Sequence, residues 1–241
     1  MIYIRFLKYF FISIFTFQTK LKFAICPFCV KKRIFLGLGR EPYQTRCLSC
    51  KGTLVSLSAI KTITDNNLIM DSTYELSFHG VLFEYLKKNS KKFTFSEYFP
   101  VNKSRYVNGI RNEDVQRLTF NSESFDLITS TEVFEHVPNY LKGFKEIYRV
   151  LKKDGFFCFT VPIFEISKQI CKLHQDGSLL WLAPEEYHGS RLTGDNSVPV
   201  FWHHSGEQIL KDLIATGFKE AKAINHFWFD KTNQIVFVAK K

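Results

Sequence analysis

The 241-residue chain reads as an α/β protein with a doubly wound, mostly parallel sheet that closes in a C-terminal antiparallel hairpin. Three observations predict this. From about residue 60 onward, short apolar runs of strand character alternate with helical stretches, the pattern of a parallel sheet covered on both faces. Residues 156–160 (Phe-Phe-Cys-Phe-Thr) are apolar almost throughout, as a strand buried on both faces should be. Two strand-like runs at about 221–229 and 234–239, separated by the turn residues 230–233, supply the hairpin.

Taken in order, residues 73–76 read as a strand, and 81–86 as a helix ended by Lys87, Lys88 and Asn89. Residues 93–96 and 125–129 are the next strands. A helix over 140–151 carries Leu141, Phe144, Ile147, Tyr148 and Leu151 on one stripe, and Lys152, Lys153 and Asp154-Gly155 stop it. After the 156–160 strand, a polar and aromatic insertion at about 165–204 breaks the alternation. Ser205-Gly-Glu-Gln208 forms a capping box that opens a helix ending at Gly217.

Composition sets limits on class. With 45% hydrophobic and 23% charged residues, neither a disordered chain nor a polytopic membrane protein is expected. The net charge of +10 is concentrated at the front. Residues 1–60 hold ten Lys/Arg against a single acid, Glu41, whereas the remainder is nearly balanced. An anionic partner such as RNA or a lipid surface would therefore meet the front.

The same front carries Cys26-Pro-Phe-Cys29 and Cys47-Leu-Ser-Cys50. Paired Cys-x-x-Cys knuckles supply four soft ligands in a tetrahedron, so Cys26, Cys29, Cys47 and Cys50 are expected to bind structural Zn²⁺ in a small zinc ribbon. Cys158 and Cys171 lie in apolar surroundings and read as buried thiols. Near the start, the apolar run from Tyr9 to Phe17 is too short for a bilayer that needs about 20 residues, so no transmembrane span is expected. Residues 1–19 read as an aromatic and basic lead-in that packs on the body or lies on a membrane surface. The expected organisation is thus a lead-in (1–19), a zinc ribbon (20–60) and an α/β domain (61–241).

Several segments in order carry a resemblance. Asn112-Glu-Asp-Val-Gln-Arg-Leu-Thr-Phe120, Ser124-Phe-Asp-Leu-Ile128, Thr131-Glu-Val-Phe-Glu-His-Val137 and Glu146-Ile-Tyr-Arg-Val-Leu-Lys-Lys-Asp-Gly155 resemble the class I S-adenosylmethionine-dependent methyltransferases of the type 11 kind, over about residues 65–241. The resemblance implies a Rossmann-like domain with the cofactor across the carboxyl ends of its strands. It implies that Glu97, in Ser96-Glu97-Tyr98-Phe99, accepts both ribose hydroxyls, since a carboxylate can take two hydrogen bonds at once. Asp114 then takes the adenine amino group and Val115 offers its backbone N–H to the ring. Glu75 and Gly80 belong to the turn at the methionine end, while Thr129 and Ser130 line the strand end facing the methyl group. The turn departs from the family pattern: Glu75-Leu-Ser-Phe-His-Gly80 keeps one glycine where several are usual.

Methyl transfer is in-line displacement that needs mostly positioning, with a base where the acceptor must lose a proton. His188, in Tyr187-His188-Gly189 of the insertion, is the candidate base; His136 reads as a packed helix histidine. Three functional readings follow. One is an S-adenosylmethionine-dependent methyltransferase acting on a small-molecule or glycan acceptor. Another is an RNA methyltransferase docking through the basic ribbon, and the last is a silent binding module. A cytoplasmic location, peripheral at most to the inner membrane, is expected.

Overall fold

The computed structural model describes residues 20–39, 41–190, 192–229 and 232–241; the lead-in expected at 1–19 lies outside the described residues. The chain divides into two compact units. One comprises the described residues up to Asn67 with His79–Asn89 and Ile224–Val236, and the other comprises Leu68–Phe78, Ser90–Ala223 and Phe237–Lys241.

The first unit begins with β1 (Lys20–Cys26), β2 (Lys31–Gly37) and β3 (Thr45–Cys47), an antiparallel sheet in that order. Cys26 and Cys47 end buried, as does Phe35, whose ring lies 5.7 Å from Trp228 and 5.4 Å from Phe229. Helix α1 (Leu54–Asp65) was not foreseen, and it runs across residue 60, where the ribbon was expected to end. Its signals are Thr53, whose hydroxyl accepts the Ser56 N–H, and Leu54, Leu57, Ile60 and Ile63 at helical spacing. Serines and threonines in between lower helix propensity and hide that period. Two of them are buried and satisfied: Ser58 accepts from Trp228 Nε1 at 2.8 Å, and Thr62 Oγ1 lies 2.7 Å from His226 Nε2. Helix α2 (Val81–Asn89) buries Leu82, Phe83 and Leu86.

The second unit is organised by β4 (Ser72–Glu75), β5 (Lys92–Phe95), β8 (Phe125–Thr131) and β9 (Leu151–Thr160), mutually parallel in the order β5-β4-β8-β9. Strand β17 (Thr232–Lys240) joins β9 antiparallel and is followed in the sheet by β16 (Glu220–Phe229). A mixed sheet with an antiparallel C-terminal hairpin was expected, and it is present. Strand β9 starts five residues earlier than 156, because it pairs with β8 from Phe125↔Leu151 onward through an irregularity in register. At the amino edge, Asp126 accepts from Ser72 N at 2.9 Å, Ser72 Oγ at 2.8 Å and Lys152 Nζ at 2.8 Å.

Helix α3 (Tyr140–Val150), capped by Asn139, buries Phe144 and Ile147. Helix α4 (Gly206–Thr216) begins with half of the expected capping box. Ser205 accepts the Gln208 N–H, but the Gln208 side chain goes to Asp212 at 2.8 Å. The core is a phenylalanine cluster in which Phe157 and Phe159 stack at 4.3 Å, with Phe134, Phe144 and Phe237 around them. Cys158 and Cys171 are buried thiols, as read from their neighbours.

Ahead of Asp114 the parallel pairing is a single bridge between Glu97 and Asn112. Asn108 and Gly109, both at positive φ, turn the chain back so that β6 (Tyr106–Val107) and β7 (Ile110–Arg111) pair with each other instead. The insertion forms three small ribbons. β10 (Lys168–Gln169) pairs with β15 (Trp202–His203), β11 (Cys171–Leu173) with β12 (Leu179–Trp181), and β13 (Tyr187–Ser190) with β14 (Gly194–Pro199).

Candidate active site and cysteine cluster

Parallel pairing sets the register at the carboxyl edge of the sheet. Glu75 lies opposite Phe95 on one side and Thr129 on the other, and Thr131 lies opposite Thr160. The crevice beyond such an edge is where open α/β sheets bind ligands. Glu97 is held there by its backbone, donating to Arg111 O at 2.9 Å and accepting from Glu113 N at 3.1 Å, which sets Asp114 one residue further along the same edge.

The expected site residues differ in what they still offer. Glu75 is 1% exposed and accepts from the Thr129 and Ser77 hydroxyls. Burial pushes its carboxyl pKa up to about 8, against the opposing pull of those two hydrogen bonds. Glu75 and Thr129 are therefore spent on each other. Ser130 is different: its hydroxyl is buried and has no hydrogen-bond partner among the described residues. Half-buried Glu97 gives Oε1 to the Tyr98 N–H at 3.0 Å, and burial raises its pKa. Asp114 caps the 3₁₀ turn Val115–Arg117 through Gln116 N at 2.8 Å, with Val115 buried beneath it. Its neighbour Glu113 is buried and committed to Arg111 and Thr119. In the first unit, Gly80 has φ +96° at the start of α2, a conformation that favours glycine, and a Cβ there would meet no atom within 4 Å.

His188, the candidate base, belongs to a cluster. Its Nδ1 lies 3.1 Å from His136 Nε2 and 3.9 Å from Glu135 Oε1, and its Nε2 lies 3.6 Å from Glu186 Oε1. His136 is not merely packed. It sits on the 3₁₀ turn Phe134–His136 after β8, with Nδ1 2.8 Å from the Pro199 carbonyl. Glu186 Oε2 holds His203 Nε2 at 2.6 Å, and the His203 ring stacks on Phe164 at 3.7 Å. Burial lowers the pKa of His188 and takes that of His136 down to about 4, so both imidazoles are neutral at pH 7. Burial also drives Glu135 well above the usual carboxylate range, with the nearby Glu132 charge adding to it. In the sequence His136 and His188 stand apart, and 52 residue positions conceal that they share one site.

In the first unit, the Sγ atoms of Cys26, Cys29, Cys47 and Cys50 lie within 4.8 Å of one another, and none is disulfide-bonded. The two knuckles repeat one turn. Val30 N donates to Cys26 O and Lys51 N to Cys47 O, each at 2.8 Å, and both residues have positive φ. Cys26 and Cys50 Sγ are 3.7 Å apart, where a tetrahedron with Zn–S of about 2.3 Å has edges of about 3.8 Å. The donor set and its spacing fit Zn²⁺.

Residues 79–159 match the methyltransferase domain family. The chain is 34% identical to a demethylmenaquinone methyltransferase of Staphylococcus haemolyticus over 35% of its own length, and it spans 40% of that curated relative. Among solved structures, the 1,6-didemethyltoxoflavin-N1-methyltransferase of Burkholderia thailandensis, with 1,6-didemethyltoxoflavin and S-adenosylhomocysteine bound, aligns with a TM-score of 0.51 at 13% identity over 78% of each chain. An S-adenosylmethionine-dependent methyltransferase of Mesorhizobium loti aligns with a TM-score of 0.49 at 15% identity, covering 76% of this chain and 98% of that one. The didemethyltoxoflavin enzyme shows the fold of this chain to be methyltransferase-like α/β. No helix among the described residues is long and apolar enough to cross a membrane.

Proposed function

We propose that the protein is an S-adenosylmethionine-dependent methyltransferase acting on a small-molecule acceptor, with structural Zn²⁺ on its four clustered cysteines. The observation that carries this reading is the carboxyl edge of the parallel sheet: Glu97 and Asp114 lie along it, Ser130 near the end of β8 has an unpartnered hydroxyl, and all three fall inside a methyltransferase-domain match. The Staphylococcus haemolyticus and Burkholderia thailandensis enzymes carry small-molecule acceptors in their names, which supports a small acceptor.

Bound S-adenosylmethionine would supply an electrophilic sulfonium methyl group. Glu97 would accept the ribose hydroxyls through the oxygen not used by Tyr98. Asp114 would accept from the adenine amino group, with the Val115 N–H toward the ring, and Ser130 would donate at the methyl end. Glu75, held by Thr129, would fix the strand end at the methionine side, and Gly80 would supply the positive φ at the start of α2. His188, neutral at pH 7, would accept the acceptor's proton. The insertion that carries His188 is pinned near the strand end by Phe201 N, which donates to Glu135 O at 2.8 Å, and by Trp202 Nε1, which donates to Pro138 O at 3.0 Å.

Calorimetric titration of zinc-replete protein with S-adenosylmethionine tests this reading. Saturable binding is expected, weakened about 10- to 100-fold by Glu97→Ala and by Asp114→Ala, since hydrogen bonds to charged groups contribute roughly 1.5–3 kcal/mol. Absence of binding up to millimolar ligand, or binding indifferent to both substitutions, would refute it.

A further inference from the structure

Glu135, His136 and His188 bring one ligand atom each within 4.8 Å of one another. Two come from the 3₁₀ turn after β8 and one from β13. Glu135 is 1% exposed, and neither of its carboxylate oxygens has a hydrogen-bond partner among the described residues. A buried carboxylate left this way is expensive, and a bound proton or a bound cation relieves it.

The surroundings favour a cation. Glu135 Oε1 lies 3.6 Å from His136 Nε2 and 3.9 Å from His188 Nδ1, and the two nitrogens are 3.1 Å apart. A metal about 2.1 Å from each ligand sets them about 3.0 Å apart at right angles and about 3.4 Å apart in a tetrahedron. Small side-chain rotations therefore close the site. The Pro199 carbonyl accepts only from a protonated His136 Nδ1, which leaves the Nε2 lone pair aimed into the cluster, where it faces His188 Nδ1. Beyond His188, the Glu186 carboxylate faces Nε2 and is itself fixed by His203, the arrangement of an outer carboxylate that orients a ligating imidazole.

We propose that Glu135, His136 and His188 form a divalent-metal site for a first-row transition ion such as Zn²⁺, Fe²⁺, Mn²⁺ or Co²⁺, separate from the cysteine cluster. Two imidazoles and one carboxylate select that class of ion and leave coordination positions open. Metal binding does not depend on the methyl-transfer reading, but its consequence rests on it. An acceptor hydroxyl on the open positions would have its pKa lowered by the ion and release its proton to solvent, and His188 would serve as ligand in place of base.

Co²⁺ is the probe. Full-length protein, loaded with zinc on its cysteines and freed of excess metal, is titrated with Co²⁺ by calorimetry and absorption. One further equivalent is expected, with a weak nitrogen/oxygen-type spectrum free of thiolate-to-cobalt charge transfer. His188→Ala and Glu135→Gln each weaken it at least tenfold, Glu186→Gln weakens it to a lesser degree, and Cys29→Ser leaves it in place. His188→Ala alters a partly exposed strand residue, so it still tests the site if Glu135→Gln fails to fold. No equivalent beyond the cysteine-bound zinc, or one that survives both ligand substitutions, overturns the site and leaves a His188–His136 hydrogen bond in its place. Titration with S-adenosylmethionine, read separately, shows whether the methyl-transfer reading stands when the metal site does not.

Discussion

Glu75→Gln gives a quantitative test of how the sheet edge is held. The carboxyl is buried, and its pKa rises from an ordinary 4.5 to about 8 in the folded protein. Between those values the folded state keeps a proton that the unfolded chain has released, so stability is full below about pH 4.5 and falls as pH rises through about 8. Each pH unit in that window is worth about 1.4 kcal/mol, and integrating the two titrations from about pH 5 to about pH 8 gives a loss of about 3.5 kcal/mol from this group. Glutamine has the shape and hydrogen-bonding capacity of the protonated acid but does not titrate. Urea unfolding of both proteins at about pH 5, 6.5 and 8 isolates the residue, because every other titrating group is common to both. The wild-type protein should lose about 3.5 kcal/mol more than the variant across this range, about 2 of it by pH 6.5. Parallel pH dependences would show that Glu75 is ionised in the folded state and that burial does not hold its proton.

Three further outcomes are expected. Gly217→Ala should destabilise by about 1–2 kcal/mol in thermal unfolding, because φ is +119° and the new Cβ would meet the Tyr148 ring at 3.2 Å. Hydrogen bonds from Lys152 and Ser72 outweigh burial and hold the Asp126 carboxyl below its usual value, so this group's contribution is present above the unfolded pKa and lost as pH falls through the folded one. Asp126→Asn should therefore cost roughly 1 kcal/mol at neutral pH, with the gap closing in acid. Elemental analysis should find one zinc per chain on the cysteine cluster, and Cys47→Ser should release it and lower the melting temperature.

The central strands were legible because their residues are apolar on both faces, a pattern that packing does not override; 125–129 and 156–160 are both there, extended at their ends. The clustering of Cys26, Cys29, Cys47 and Cys50 was legible because the spacing within each Cys-x-x-Cys pair is a local property. Helix α1 was hidden by Ser56, Ser58, Thr62 and Thr64, whose hydroxyls weaken helix propensity until burial of the surrounding leucines and isoleucines overrides it. Asn108-Gly109, a hairpin signal in the sequence, folds the segment ahead of Asp114 onto itself as β6 and β7. Glu97 and Asp114, expected from the resemblance, lie where the chain leaves the carboxyl edge of the sheet. The state of Glu75, tied to Thr129 and protonated, and the meeting of His136 with His188 depend on burial and on contacts far apart in sequence, which no local pattern encodes.

The single bridge at Glu97 also bears on time. Two backbone hydrogen bonds, to Arg111 and from Glu113, fasten this edge, whereas β8 is paired with a strand on each side over Leu127–Thr129. Local opening is easiest where the fewest bonds must break together, so the amides of Glu97 and Glu113 should exchange with deuterium well before those of Ile128 or Phe157. A ligand held against Glu97 and Asp114, as proposed, would therefore rest on the part of the sheet that opens first, and its departure could be fast without unfolding the central strands.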